Sequence, residues 1–210
     1  MLRLLAIVML SVGLVAVPAQ ALTFTPAQML AWNAKRFDGR TDYRLVFDPE
    51  LQRRVLRAES RGGASGLFYE GRIDLQATPW LSWQWRVDRF PGISNERVKS
   101  GDDFALRVYV VVRDGWTQLS SRAISYVWAR QAGTGQSWPN PFAGNKAMML
   151  ALQTGPAAGW VREKRNLRAD LQRLFGKDFR YLDAVAIMTD ADNGGGTAIG
   201  YYGDLAFSAE

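Results

Sequence analysis

The segment Asp190-Ala191-Asp192-Asn193-Gly194-Gly195-Gly196 sets oxygen donors close together and follows them with glycines that let a loop wrap tightly. With Asp204 from the closing segment of the chain, the side chains of Asp190, Asp192 and Asn193 make a candidate ligand set for a structural Ca2+. The later acidic ligand of an EF-hand is absent, and an Asx-turn hairpin loop uses the same residue types without metal. Carboxylates could also do catalysis. Glycoside hydrolysis needs two of them about 5–10 Å apart across a sugar bond. Asp102, Asp103, Glu163, Asp170, Asp190, Asp192 and Asp204 are the candidate acids. Glu163 stands among Arg162, Lys164 and Arg165, whose charges favour its ionised form. The chain has no Cys and no His. That removes thiolate nucleophiles, Ser-His-Asp devices, and zinc or haem sites built on those ligands.

The aromatic residues offer a second kind of chemistry. A sugar ring presents C–H groups that pack on a flat indole or phenyl face, and eight tryptophans are available for that or for core filling. Trp83 and Trp85 alternate with polar residues and share a face with Leu81 and Val87, so they are expected in the core. Trp116 follows Asp114-Gly115 at an expected hairpin tip. Trp138 lies in the Gly/Pro/Asn-rich stretch Gln131 to Asn145, with Asn140 close by. A large ring in such a loop needs a local pocket or a ligand, so these residues are candidates for ligand contact. An outward row of Arg107, Tyr109 and Gln84 or Arg86 would add donors and a stacking surface to the same function. Arg107 and Asp103 share a strand face four residues apart, so a partner for Arg107 has to come from a neighbouring strand.

The elements that must position these groups are mostly strands. Trp80 to Val87 and Phe104 to Val112 alternate with the period of two expected of half-buried strands. Tyr43 to Phe47, Val55 to Ser60, Ser65 to Tyr69, Ala123 to Ala129, Ala147 to Thr154, Trp160 to Asn166, Ala184 to Thr189 and Ile199 to Phe207 complete the set. A short helix is expected over residues 26–37, with Thr25 as N-cap and Pro26 at its first position. Arg168 to Phe175 forms another, ended by Gly176. Short strands separated by turn residues predict a mainly β protein: an antiparallel β-sandwich, jelly-roll-like, with one or two short helices.

The first twenty-one residues have the form of a secretory signal peptide. Arg3 is basic, Leu4 to Val17 is apolar, Pro18 breaks the run, and Ala19-Gln20-Ala21 is a small-x-small cleavage site. The expectation is cleavage after Ala21, a single sandwich domain over residues 22–210, and a periplasmic or secreted location. No later stretch is long and apolar enough to span a bilayer. The net charge of +6 comes from scattered arginines with no basic run, which argues against nucleic acid as partner. It leaves attraction to an anionic envelope component open.

Several segments together resemble the bacterial family known as domain of unknown function 3047: TDYRLVF, RVLRAESRGGASGLFYEGRIDL, LSWQWRVD, GDDFALRVYVVV, ISYVWA, WPNPF, GWVREKRNLRADLQRLFG, VAIMTDADN and GYYGDLAF. The resemblance runs in order along most of the chain after residue 21. It implies an exported β-sandwich and brings no catalytic residues. More loosely, the ending AIGYYGDLAF is similar to the last strand of galactose-binding-like and carbohydrate-binding-module jelly rolls. The expectation is therefore non-catalytic binding of a carbohydrate or glycan-like ligand. The alternatives are a polysaccharide-acting enzyme with paired carboxylates and a protein–protein scaffold of the cell envelope.

Overall fold

The computed structural model describes residues 21–92, 95–115, 120–156 and 158–210. The expected signal peptide lies outside the described residues except for Ala21, and Trp116 lies outside them too. The elements in chain order are β1 (Leu22–Phe24), α1 (Pro26–Leu30), β2 (Asn33–Asp38), β3 (Thr41–Asp48), β4 (Arg53–Arg61), β5 (Ala64–Asp74), β6 (Trp80–Arg89), β7 (Arg107–Arg113), β8 (Ser121–Ala129), β9 (Ser137–Asn140), β10 (Gly144–Thr154), β11 (Val161–Asn166), α2 (Leu167–Phe175), β12 (Tyr181–Asp190) and β13 (Thr197–Ser208).

Among the described residues these strands form two sheets. One has the order β11-β6-β13-β4-β3, with β1 also paired to β13; the other has the order β2-β5-β12-β7-β8-β10-β9. The architecture is the expected jelly-roll-like β-sandwich. Pairing is antiparallel except between β8 and β10, which run parallel, so the seven-stranded sheet is mixed. The alternating residues Leu81, Trp83 and Trp85 of β6 point inward. They meet Tyr126 and Trp128 of β8 across the sandwich, with ring centroids 5.5 Å apart for Trp83–Tyr126 and 5.9 Å for Trp85–Trp128. Val108, Val110, Leu150, Val185, Ile187, Tyr202, Leu205 and Phe207 fill the same core. Burial on this scale is the main term that holds the sheets together.

The start of α1 and the end of α2 follow the sequence. Thr25 caps α1 in a reciprocal capping box with Gln28, and Pro26 takes the first turn. α2 is capped by Asn166 and closed by Gly176 at φ 68°. The helix expected over 26–37, however, stops at Leu30. Residues Asn33–Asp38 instead pair with the edge of β5. The open edge supplies backbone partners there, and Lys35 and Arg36 leave no apolar stripe for a helix to bury.

A second apolar cluster lies on the outer face of the seven-stranded sheet. Val127 of β8 and Met149 and Ala151 of β10 are covered there by Phe104 and Trp138. This corrects the placement of Trp138. It belongs to β9, opposite Met149 of β10, and is only 5% exposed. The Pro-rich loop chemistry around it conceals a short antiparallel strand.

Candidate functional site

Arg107 opens β7 on the outer face of the seven-stranded sheet and is 2% exposed. An arginine buried so deeply must have its five N–H groups met by acceptors, and here they are. Nε donates to Asp190 Oδ1 at 3.0 Å. One terminal nitrogen donates to Asp190 Oδ2 and to the Asp102 carbonyl. The other donates to Asp102 Oδ1 at 3.4 Å and to the Tyr109 hydroxyl at 3.2 Å. The guanidinium also stacks over Phe104, 4.6 Å from its ring centre. Burial disfavours the Arg107 charge, but the carboxylates of Asp102 and Asp190 outweigh it and hold its pKa well above the ordinary arginine value. The neighbouring strand that supplies its partner is β12, which pairs with β7 and ends at Asp190.

Around this ion pair the backbone and amides are fixed in turn. Phe104 N–H donates to Asp190 Oδ1 at 3.0 Å. Asn140 Nδ2 donates to Asp102 Oδ2 at 3.0 Å, and Asn140 Oδ1 accepts from the amides of Phe142 and Ala143. Asp103 pins the glycine loop from the other side. It accepts from Asn193 N–H, Asn193 Nδ2 and Gly194 N–H, at 3.1, 3.1 and 2.6 Å. Loops that are far apart in sequence are thereby locked over one end of the sheet.

They enclose a cleft of about 490 Å3. Arg107, Tyr109, Asn140, Asp190, Asp192 and Asn193, all singled out from the sequence, line it. Phe37 of β2 and Phe142 of the β9–β10 turn line it as well, 62% and 57% exposed. Sequence reasoning missed both. Phe37 was hidden in a helix that does not form. Phe142 lies in the right Gly/Pro-rich stretch, but Trp138 drew attention as the larger ring.

Two other expected site residues stand elsewhere. Gln84 is on β6 of the opposite sheet, so the row with Arg107 and Tyr109 does not exist. Asp204 is on β13, paired with Arg53, which also donates to Gln84 Oε1 at 2.8 Å. Both line a separate cavity of about 580 Å3.

Asp204 is therefore not part of the glycine-loop cluster; Asp103 takes its place. One oxygen each of Asp103, Asp190 and Asp192 lies within 4.8 Å of the others. Arg107 closes both oxygens of Asp190 and the loop amides occupy Asp103, whereas Asp192 Oδ1 is buried without a partner. Calcium takes six to eight oxygens; this set has one uncommitted buried oxygen and an arginine where the cation's charge would be needed, so the residues do not fit a calcium cage.

Burial pushes the Asp190 carboxyl up to about 7, against the pull of Arg107. Burial likewise raises Asp102, opposed by Arg107 and Asn140. Asp192 is raised by burial, and the charges of Asp103 and Asp38 add to the effect. Outside the cleft, Glu163 is also raised by burial rather than held ionised by its basic neighbours. Adjacent strand residues point to opposite faces, so Arg162 and Lys164 turn away from it, while Arg165 pairs with Asp170.

The family described as protein of unknown function (DUF3047) matches residues 30–206. The chain belongs to this family. No curated protein matches it. Among solved structures it is similar to the family 30 carbohydrate-binding module of a cellulosomal cellulase of Clostridium thermocellum, at 10% identity over 85% of this chain and 91% of that one, with a TM-score of 0.48. It is also similar to the xyloglucanase domain of NopAA from Sinorhizobium fredii, at 10% identity over 82% and 90% of the two chains, with a TM-score of 0.41. A low-affinity xylan-binding module from Roseburia intestinalis aligns at 11% identity over 90% and 95%, with a TM-score of 0.35. At these values the DUF3047 chain takes no assignment from its neighbours, and the reading that follows rests on the cleft.

Proposed function

We propose that this DUF3047 protein binds a carbohydrate or glycan-like ligand in the cleft over Arg107, without chemistry, as an exported component of the bacterial envelope. One observation carries the reading: two exposed phenyl rings, Phe37 and Phe142, border a floor of polar groups already locked in place. Sugar recognition needs that combination, an apolar face for the C–H side of a ring and fixed acceptors for its hydroxyls. Preorganised acceptors also lower the ordering cost of binding. The signal-peptide form of residues 1–21 supports export to the periplasm or beyond, with residues 22–210 as the mature domain. Among the described residues no helix is long and apolar enough to cross a membrane.

The test is thermal melting and calorimetric titration of the protein with neutral oligosaccharides such as cello- and xylo-oligomers. A ligand of the folded state raises the melting temperature by mass action. A saturable shift that weakens in Phe142→Ala supports the reading; a complete panel without a shift overturns it. The carboxyls of Asp102, Asp190 and Asp192, all raised by burial and lining one cleft, favour one other reading, a glycoside hydrolase. Release of reducing ends that is lost in Asp192→Asn would establish that reading instead.

A further inference from the structure

The cleft has more acidic than basic side chains, and most of its side-chain donors are committed to protein acceptors. All five N–H groups of Arg107 go to protein acceptors. Asn140 Nδ2 is taken by Asp102, and Asn193 Nδ2 by Asp103. The Tyr109 hydroxyl points its proton at Met188 Sδ, 3.7 Å away. Asp38, Asp102, Asp190 and Asp192 line the cleft against Arg107 as its one cation. In a chain of net charge +6 this is a local reversal of sign. Asp38 has no salt bridge among the described residues, and the buried Asp192 Oδ1 has no hydrogen-bond partner.

Asp192, part-buried with one oxygen unpartnered, carries an uncompensated desolvation cost, whereas Asp38 is exposed and contributes charge alone. A ligand that brings N–H donors and positive charge relieves that cost, whereas one that brings carboxylate, sulfate or phosphate adds to it. The observation is separate from the aromatic rim: the rings suit any sugar, and the donor–acceptor balance selects among sugars.

Resting on the glycan reading above, we infer that the cleft is selective for amine-bearing glycans, meaning oligosaccharides of unacetylated amino sugars, with Asp192 and Asp38 facing the ammonium groups. An ammonium supplies three donors on a compact charge, which suits carboxylates set around a cavity better than a hydroxyl does. Acidic polysaccharides, which the overall basic charge would attract, are repelled here.

The experiment compares three oligomers of equal length by calorimetric titration at low salt: a β-1,4-glucosamine oligomer with its amines protonated, its N-acetylated counterpart, and the matching cello-oligomer. The expected result is affinity for the glucosamine oligomer about tenfold above the other two, equivalent to about 1.4 kcal/mol. Added salt should narrow the gap, and the preference should fall toward unity in Asp192→Asn. Asp38→Asn, at an exposed strand-end position, is the second variant in case the first does not fold. Equal affinity for all three sugars overturns this inference and leaves the glycan reading standing. Binding of none overturns both. A rise in melting temperature with calcium alone, and no preference among the sugars, overturns it in favour of a metal site.

Discussion

Arg107 and Asp190, 83 positions apart in the chain, meet as a buried two-point ion pair, with Nε 3.0 Å from Oδ1 and a terminal nitrogen on Oδ2. The pair ties the start of β7 to the end of β12 directly beneath the cleft. Its planar fork suits a carboxylate in a way that a lysine ammonium does not. The carbonyl and carboxylate of Asp102 complete the cage, so the guanidinium acts as a pin for the cleft floor and not as a free hand for ligand.

Removing the pin leaves two buried carboxylates without their counter-charge. Arg107→Ala is expected to lower stability by about 3–5 kcal/mol, the range for breaking one side of a buried pair. Arg107→Lys should recover only part of it, because lysine keeps the charge and loses the fork. Urea unfolding at neutral pH measures both. A loss below about 1 kcal/mol, the range of an exposed pair, would mean that the guanidinium is not buried as described.

The contribution of Asp190 and Glu163 to stability should fall as pH rises from the ordinary carboxyl range toward neutrality, opposite in sign to that of the lowered carboxyls Asp48, Glu59 and Asp114. Below that range these two carboxyls hold their protons in the folded and the unfolded chain alike. With rising pH the unfolded chain ionises first, and a carboxyl whose folded pKa is raised then costs stability until it ionises too. Asp190, pushed up to about 7, carries this loss to near neutral pH, and Glu163 contributes in the same direction. Glu163→Gln isolates the effect. Glu163 Oε1 accepts from both Trp85 Nε1 and Gln153 Nε2, and a glutamine carbonyl can do the same. The variant should match the parent in acid and exceed it progressively as pH rises above the ordinary carboxyl range. Melting curves across that range check the sign, and a gap that shrinks with pH would refute it.

The two-residue alternation of β6 and β7 made the inward faces legible, because burial on one side of a sheet imprints that period directly. Gly176 marked the end of α2 through local backbone chemistry, whereas the cap at Asn166 was concealed by its reading as the end of a strand. The cleft was legible only as separate pieces. Arg107, Tyr109, Asn140 and the Asp190–Asn193 loop each stood out by type. That Asp103 grips Asn193 from 90 positions away is a product of strand order, which no local pattern encodes. The same limit explains the mistaken row of Gln84 with Arg107: both sit on alternating strands, but in different sheets. Asp204 went to Arg53 for the same reason.

Phe37 and Phe142 separate binding from folding. Both rings are more than half exposed, so Phe37→Ala and Phe142→Ala should change stability by less than about 0.5 kcal/mol. If a sugar ring packs on them, each loss should weaken its binding by about 0.5–1.5 kcal/mol, the range for a specific aromatic contact. Lys99 stands 5.4 Å from the Phe142 ring centre, so the charge-conserving Lys99→Arg serves as a control that keeps the ring covered on that side. Titration and melting on the same samples give both numbers. Unchanged affinity in both alanine variants would place the ligand elsewhere.

Gly101 joins the fold to the cleft at one atom. A Cβ on this glycine would lie 2.0 Å from the Asn95 carbonyl oxygen and 2.7 Å from its carbon. Both are backbone atoms, so no side-chain rotation relieves the clash. The segment that must move is Lys99–Gly101, which leads directly into Asp102 and its contacts with Arg107 and Asn140. Gly101→Ala should therefore cost about 1–3 kcal/mol, as overpacking does, and should disturb the cleft floor as well as the fold. Gly135→Ala is the comparison: its Cβ meets nothing within 4 Å, although its φ of 84° carries backbone strain of its own. If strain alone were at work, the two variants would lose stability alike and keep ligand affinity alike. If the close approach at Asn95 sets the position of Asp102, Gly101→Ala alone should weaken binding when compared with Gly135→Ala at matched fraction folded. Calorimetric titration below both melting transitions decides between them.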